Sequence, residues 1–568
     1  MDYTEPLVIA ENKTVYFKAK DSNGEITIKS VVVDKIDKNP QQLYVNEAWK
    51  SLAVGTNVDV SDGKKAVIGQ DAFADIDSAK AVGDASGRNY SIDILGENSD
   101  DMTAIGNNYQ TNGITTSGNI CAGVASEVPE EVNASLRNTT ASRLYVGKRA
   151  NDVVQTGTKA VVTAEISDSR LTGGVFGGGE VSNSTIFSDT RMSFTDSTTN
   201  IVTGGAYLTK GTADDVNVSI ANGNNVLELK DSSVSNFVIG SGVVNAYGME
   251  TRNGNIDITV NDGSITTLLG GSYLQSAKVT ETGESIMVSS EITGDISIKI
   301  GGGVTVGYVY GAGGGKFASS TRPDEKAQGS GIVVKGDVNI DIDLTHGAAV
   351  SNGVVAGSFG WGIVDGNTSI TVKGNGEKDS LGSAYSILTG DSSMRGDGGQ
   401  SGTFVTGTKT LNISNFNGEL KGYIGYFDTI NIENSSVDVD WRNINPLTKV
   451  STTMEVMNWK FSSTDKEQTA FNCTSDEWGV SLSGVNLEFN CTDLTSDGDE
   501  WTCFNASFES IQDFDSIGAG SLLVNGSTFN LGDYDEVDMS YTSEDGLYKV
   551  GLSSNEGEGD RLFVTCIA

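Results

Sequence analysis

The chain is 568 residues long, 37% hydrophobic, with 71 glycines against 5 prolines and a formal net charge of −37. That apolar content excludes a disordered tail, and so acidic a chain without any Lys/Arg cluster excludes a nucleic-acid partner, which needs a basic groove. Helix formers are thin while Ser, Thr, Asn and Asp abound beside glycine, so the composition predicts an all-β chain of strands and turns.

The opening residues, MDYTEPLVIA, lack the basic region and apolar core of an export signal. The stretch YTEPLVIAENKTVYFKAKDSNGEITIKSVVVDKIDKNP, however, resembles the last strands of a bacterial immunoglobulin-like repeat, with a strand and turn in VYFKAKDSNGE and a linker in DKIDKNP. The resemblance implies that residues 1–40 are a partial repeat and linker. It also implies that the chain is the C-terminal portion of a longer protein of the bacterial cell surface, with its export signal upstream. No run of 18 apolar residues occurs, so no membrane-inserted helix is expected.

Residues 41–89 hold one short helix candidate, around AFADIDSAKAV, among strand-like pieces, and suit the cap that begins a solenoid. Over 90–440 the text becomes repetitive in kind without a strict period. Glycine doublets or triplets fall at Gly173, Gly204, Gly270 and Gly313, and between them run alternating strands such as Ile256-Ile258-Val260, Ile296-Ile298-Ile300, Val338-Ile340-Ile342, Ile370-Val372, Leu411-Ile413 and Ile430-Ile432. Side chains alternate across a strand, so Ile256, Ile258 and Val260 share one interior while Asp257 and Thr259 face out. One such strand pair cannot bury its face, and repetition at roughly 20 to 50 residues solves this by stacking each unit on the last.

The succession NIDITVNDGSITTLLGG and LNISNFNGELKGYIGYFDTINIENSSVDVD is similar to the passenger regions of bacterial autotransporters and related large adhesins. That resemblance implies a right-handed parallel β-helix over 90–440, extracellular, making multivalent contacts with glycans or host and cell-surface proteins. The chain departs from the family in having no C-terminal β-barrel text, so self-secretion by that route is not implied.

Residues 441–568 change in composition. Trp441, Trp459, Trp478 and Trp501 lie there, as do four of the five cysteines, and glycine pairs vanish. This segment reads as an acidic, β-rich cap that closes the open end of the solenoid and blunts its edge.

Candidate chemistry is sparse. His346 is the chain's single histidine, at a strand end in DLTHGAAV, so a serine triad and a histidine-based zinc site lack their parts. Cys473, Cys491, Cys503 and Cys566 show no metal-knuckle spacing; buried thiols or a disulfide are open for them. FNCT, which occurs twice, suggests equivalent places on neighbouring strands. Asp337, Asn339, Asp341 and Asp343 project from one side of one strand at intervals of roughly 7 Å. That overlaps the separation of about 6.5–9.5 Å used by inverting glycosidases. Outward neighbours Ser297, Lys299, Thr371 and Lys373 do not visibly converge on them, and calcium is the one ion such acidic rows could take. GAGGGKF has Phe317 where a phosphate loop needs Ser or Thr, and sequons such as Asn217 and Asn412 are expected by chance. No catalytic or cofactor-binding residue is assigned, and the metal question stays open. The leading reading is a non-enzymatic adhesin or stalk; the alternative is a carbohydrate-active β-helix enzyme, lyase or hydrolase.

Overall fold

The computed structural model describes residues 13–20, 26–33, 41–60, 63–86, 90–98, 102–103, 108–123, 131–154, 160–275, 288–315, 331–359, 362–383, 386–390, 405–440, 453–454, 456–473, 479–506, 511–517, 520–555 and 559–568. Phe317, Trp441 and Trp478 lie outside them. The chain is all-β, with strand making up 63% and helix 6%, and it divides into two compact units, Met1–Leu95 and Gly96–Ala568.

In the first unit, Lys13–Lys20 and Ile26–Val33 form an antiparallel pair with Lys13 opposite Val33. Gln41–Val45 then runs parallel to Ala72–Phe73 and to Tyr90–Asn98 over a small core that includes Tyr44, Trp49, Ile68 and Ala72. The helix anticipated near AFADIDSAKAV is Ile76–Ser86. Asp75 caps it by accepting from both the amide (2.8 Å) and the hydroxyl (2.9 Å) of Ser78, which satisfies a backbone donor that the first turn leaves open.

The second unit is built on long parallel ladders. In the first, 225–230 of Asn225–Ile239 pairs with 256–261 of Ile256–Leu269, followed by Ile296–Gly301, Val338–Asp343, Thr368–Lys373, Lys409–Ser414 and Thr429–Glu433, each parallel to the one before. The period-two reading holds through it. Leu227, Ile258, Ile298, Ile340, Ile370, Leu411 and Ile430 fall in register and are all buried, while Asp257, Lys299 and Asp341 are exposed. Each aliphatic side chain so buried contributes roughly 1.5–3 kcal/mol, which is why the register does not slip.

The change of composition near residue 440 is not a change of pairing. Ile430 sits opposite Trp459, Trp459 opposite Leu487, and Leu487 opposite Leu522, all parallel, and Phe461 stacks on Phe489 with ring centroids 5.5 Å apart. Antiparallel pairing enters with the last strands, where Gly559–Cys566 pairs with both Glu500–Ala506 and Tyr548–Asn555. The two FNCT copies are not neighbours: Phe471 is paired with Phe504 in one sheet, and Phe489 with Phe461 in another. Similar text arose there because both strands bury Phe and Cys inward, at positions 471, 473, 489 and 491.

Two kinds of corner hold the ladders. At one, a Gly-Asn or Gly-Asp pair precedes the strand segments that begin at 225, 256, 296, 338 and 368. The side-chain oxygens of Asp189, Asn224, Asn255, Asp295, Asp337 and Asn367 accept the amides of Asn224, Asn255, Asp295, Asp337, Asn367 and Thr408 in turn, at 2.7–3.0 Å. A Cβ on Gly254, Gly294, Gly336, Gly366 or Gly407 would collide with the glycine one step earlier, so the close stacking requires glycine. At the other corner, Asp168, Asp196 and Asp231 adopt left-handed φ of 50°, 48° and 49°. The hydroxyl that follows each of them, on Ser169, Ser197 and Ser232, accepts the amide of Thr139, Ser169 and Ser197.

The glycine doublets also close a column, though not at all four positions read from the sequence. Gly204 and Gly270 belong to it with Gly177, Gly240 and Gly311, each contacting the next through a carbonyl. Gly173 lies instead within the strand Arg170–Phe176, and Gly313 opens the strand Gly313–Gly315. The doublet motif alone does not distinguish a corner from a strand interior that a neighbouring side chain crosses, as Arg143 crosses Gly173.

Candidate functional site

The second ladder carries the groove. Its strands are Arg170–Phe176, Thr198–Thr203, 233–239, 264–269, Thr305–Tyr310 and Ala349–Val355, all parallel. Inward, Leu171, Val234, Ile265, Val306 and Val350 fill the interior. Outward, Arg170, Thr198, Ser233, Ser264 and Thr305 fall in register and form one row, in which Arg170 is followed by four small polar residues. Beside that row lie Thr172, Asn200, Ser235, Thr266, Ser351 and Asn352, and the two rows line an open groove of about 560 Å³.

The polar groups of this groove are partly engaged with each other. Ser264 donates to Ser233 Oγ (3.1 Å), Ser235 to Asn200 Oδ1 (3.2 Å), and Thr266 to the carbonyl of Ser235 (3.0 Å). Hydroxyls both donate and accept, so such a row can re-aim toward a polar ligand without stranding a buried group. Among the residues lining the groove, Arg170 alone carries a charge.

One register position further along the same strands, Ile201, Phe237, Thr267 and Tyr308 are aligned. Phe237 stacks on Tyr273 with centroids 4.7 Å apart, and Tyr308 stacks on Tyr310 at 5.9 Å. Tyr273 and Tyr310 belong to an apolar cluster with Ile239, Val243, Leu269 and Val355, packed in the bend made by the glycine column. Burial raises the Tyr273 and Tyr310 phenols above their ordinary range, with the neighbouring Tyr308 adding to the effect on Tyr310. Tyr308 keeps 41% of its surface exposed. The bend thus supports partly exposed rings at the groove's margin.

The carboxylates singled out in the sequence serve separate local tasks. Asp337 is a rung of the corner ladder, accepting the amide of Asn367 at 2.7 Å. Asn339 accepts from Ser369 (2.6 Å), and Asp341 lies exposed between Lys299 and Thr371 in register. Asp343 caps a short turn by accepting from the Thr345 amide (3.0 Å) and faces Lys373 at 3.6 Å. Burial alone would raise Asp343, but the Thr345 hydroxyl and amide together with Lys373 outweigh it and hold the carboxyl below its ordinary value. Ser297 is aligned with Asn339. His346 is exposed, with its Nδ1 2.9 Å from the Thr345 hydroxyl, which itself donates to Asp343 at 2.5 Å. Among the described residues, no group of three His, Cys, Asp or Glu side chains is placed to hold a metal ion.

Cys121, Cys473, Cys491, Cys503 and Cys566 are all buried. Complete burial pushes the Cys503 thiol well above its ordinary value. Asn217 is buried and donates to the Thr209 carbonyl at 2.8 Å, whereas Asn412 accepts from Asn431 at 2.7 Å in a ladder of outward amides.

A buried ionic group was not foreseen. Glu250 and Arg252 point into the interior, where Ser272 donates to Glu250 Oε2 (2.6 Å) and Arg252 Nη1 donates to the Gly223 carbonyl (3.1 Å). Desolvation lowers the Arg252 pKa, against the opposing influence of Glu250. Room for both comes from glycine: a Cβ on Gly242 would lie 2.8 Å from Glu250 Oε1, and one on Gly205 3.0 Å from Arg252 Nη2.

No protein-family model matches this chain, and neither a curated protein nor a solved structure is detectably similar to it.

Proposed function

We propose that the parallel ladders form a right-handed β-helix of the kind found in autotransporter passengers and large adhesins, and that the chain is a non-enzymatic segment of an exported bacterial surface protein. The antiparallel pair Lys13–Lys20 and Ile26–Val33 is consistent with the end of an immunoglobulin-like repeat ahead of it. The segment acts by many shallow contacts with glycans or surface proteins rather than through one desolvated pocket.

The observation that carries this reading is the groove's lining of Ser, Thr and Asn, open along its length and crossing six strands. Hydroxyls and amides at regular strand intervals offer paired donors and acceptors that match sugar hydroxyls. A lyase or hydrolase would instead need carboxylates brought together over a bound sugar, and the lining carries none among the described residues.

The test is a glycan and surface-protein binding screen with the whole chain, followed for release of reducing or unsaturated ends. Binding without turnover, abolished by Thr266→Arg, supports the reading. Turnover lost on Asp341→Ala or Asp343→Ala would overturn it in favour of an enzyme.

A further inference from the structure

The groove's dimensions and its single charge narrow what it takes. Strands in a sheet lie about 4.8 Å apart, so six of them carry the groove over roughly 24 Å, the length of a short oligosaccharide rather than of one sugar. Along its margin, Phe237 and Tyr308 occupy the same register position with Thr267 between them. Their backbone positions are therefore about 10 Å apart along the ladder. That is the scale of the disaccharide repeat in an extended β-linked chain, in which every second sugar presents the same face. An aromatic ring receives the apolar face of a pyranose, and each ring is steadied by a stacked neighbour, Phe237 by Tyr273 and Tyr308 by Tyr310.

Charge sets the other requirement. Arg170 is exposed at the first of the six strands. One strand further out, Arg143 stands opposite Gly174 and donates to the Tyr145 hydroxyl at 3.1 Å. Arg143 is thus engaged outside the lining, and Arg170 is the one charge of the groove, at its end. A chain of net charge −37 repels a uniformly anionic polymer at long range, so a lone cation suits one anionic unit rather than a row of them.

We propose that the groove takes an extended, β-linked and mostly neutral glycan, laid along the ladder with sugar faces on Phe237 and Tyr308 and one carboxylated sugar at Arg170. This rests on the glycan-binding reading above and specifies its ligand.

Three hexasaccharide probes separate the possibilities: neutral cellohexaose, the same β-1,4-linked hexamer carrying one glucuronic acid at either end, and a fully carboxylated β-1,4-mannuronate hexamer. The singly charged hexamer binds at least tenfold more tightly than either of the others. Arg170→Gln removes that advantage, bringing the singly charged hexamer down to the affinity of cellohexaose, while Tyr308→Ala, or Tyr308→Thr should the first variant melt early, weakens both. Equal binding of the neutral and singly charged hexamers overturns the inference, as does tightest binding of the mannuronate or equal weakening of all probes by Arg170→Gln. In each of those cases the broader glycan reading stands. If no hexamer binds but other glycans in the screen do, this inference alone fails. If only a protein ligand binds and Thr266→Arg blocks it, the glycan reading fails as well.

Discussion

Glu250 and Arg252 share one hydroxyl: Ser241 donates to Glu250 Oε1 at 2.8 Å and accepts from Arg252 Nε at 3.0 Å. Both charges are inside, so neither is replaceable alone. Arg252→Leu leaves a buried carboxylate without its cation and should destabilise by about 3–5 kcal/mol, whereas Glu250→Met with Arg252→Leu should lose much less. A double-mutant cycle by urea denaturation measures the coupling; additive losses would show that the pair does not act as a unit.

The in-and-out alternation makes adjacent residues differ sharply. Ile340→Lys places an unpaired charge in the interior and should cost several kcal/mol, about half or more of a typical domain's stability. Asp341→Lys, one residue on, should change stability by at most about 0.5 kcal/mol, because that side chain is exposed. Thermal melts of the two variants decide the matter, and equal shifts would reverse the assignment.

The glycine corner makes an equally local prediction. Gly294→Ala forces a methyl into the backbone of Gly254 and should destabilise by about 1–3 kcal/mol. Gly532→Ala is the control, since its methyl would meet nothing nearer than Asn530 Oδ1 at 3.5 Å. A chemical denaturation midpoint that moves for the first and not the second is the expected result.

Acid should loosen the fold through particular carboxylates. Asp343, Glu488 and Asp499 are all held below their ordinary values, the last two chiefly by hydrogen bonds from Asn490 and Lys466. A carboxyl whose folded-state pKa is depressed adds stability that is complete above its unfolded value, near 4, and is lost as pH falls through the folded value. The melting temperature should therefore be level from pH 7 to about 5 and fall progressively below about 4. Lys466→Met should flatten part of that fall, since Lys466 lies 2.8 Å from Asp499.

The ladder interiors were legible because Ile298, Ile340 and Ile370 repeat the same apolar choice at period two, and burial depends on little else. The corners were less so. Asp295 and Asp337 look like any solvated acid in the sequence, and their roles as amide acceptors depend on residues 42 and 30 positions further on. Glu250 and Arg252 sit in GMETRNGN, which reads as a polar turn; they are interior because Ser241, Ser272 and Ser290 converge on them from other strands. The groove was hidden for the opposite reason. Thr198, Ser233 and Ser264 are unremarkable alone and become a surface only when pairing aligns them.

The corner ladder of Asn and Asp side chains joins successive rungs across 35, 31, 40, 42, 30 and 41 residues, yet the bond at each rung is the same. What is fixed is where a turn of chain must return, not how far it travels before returning. A lineage can therefore lengthen or trim the excursions between rungs by a dozen residues while every neighbouring strand keeps its partner. Variation is absorbed by the outside of the molecule, and the interior inherits none of it.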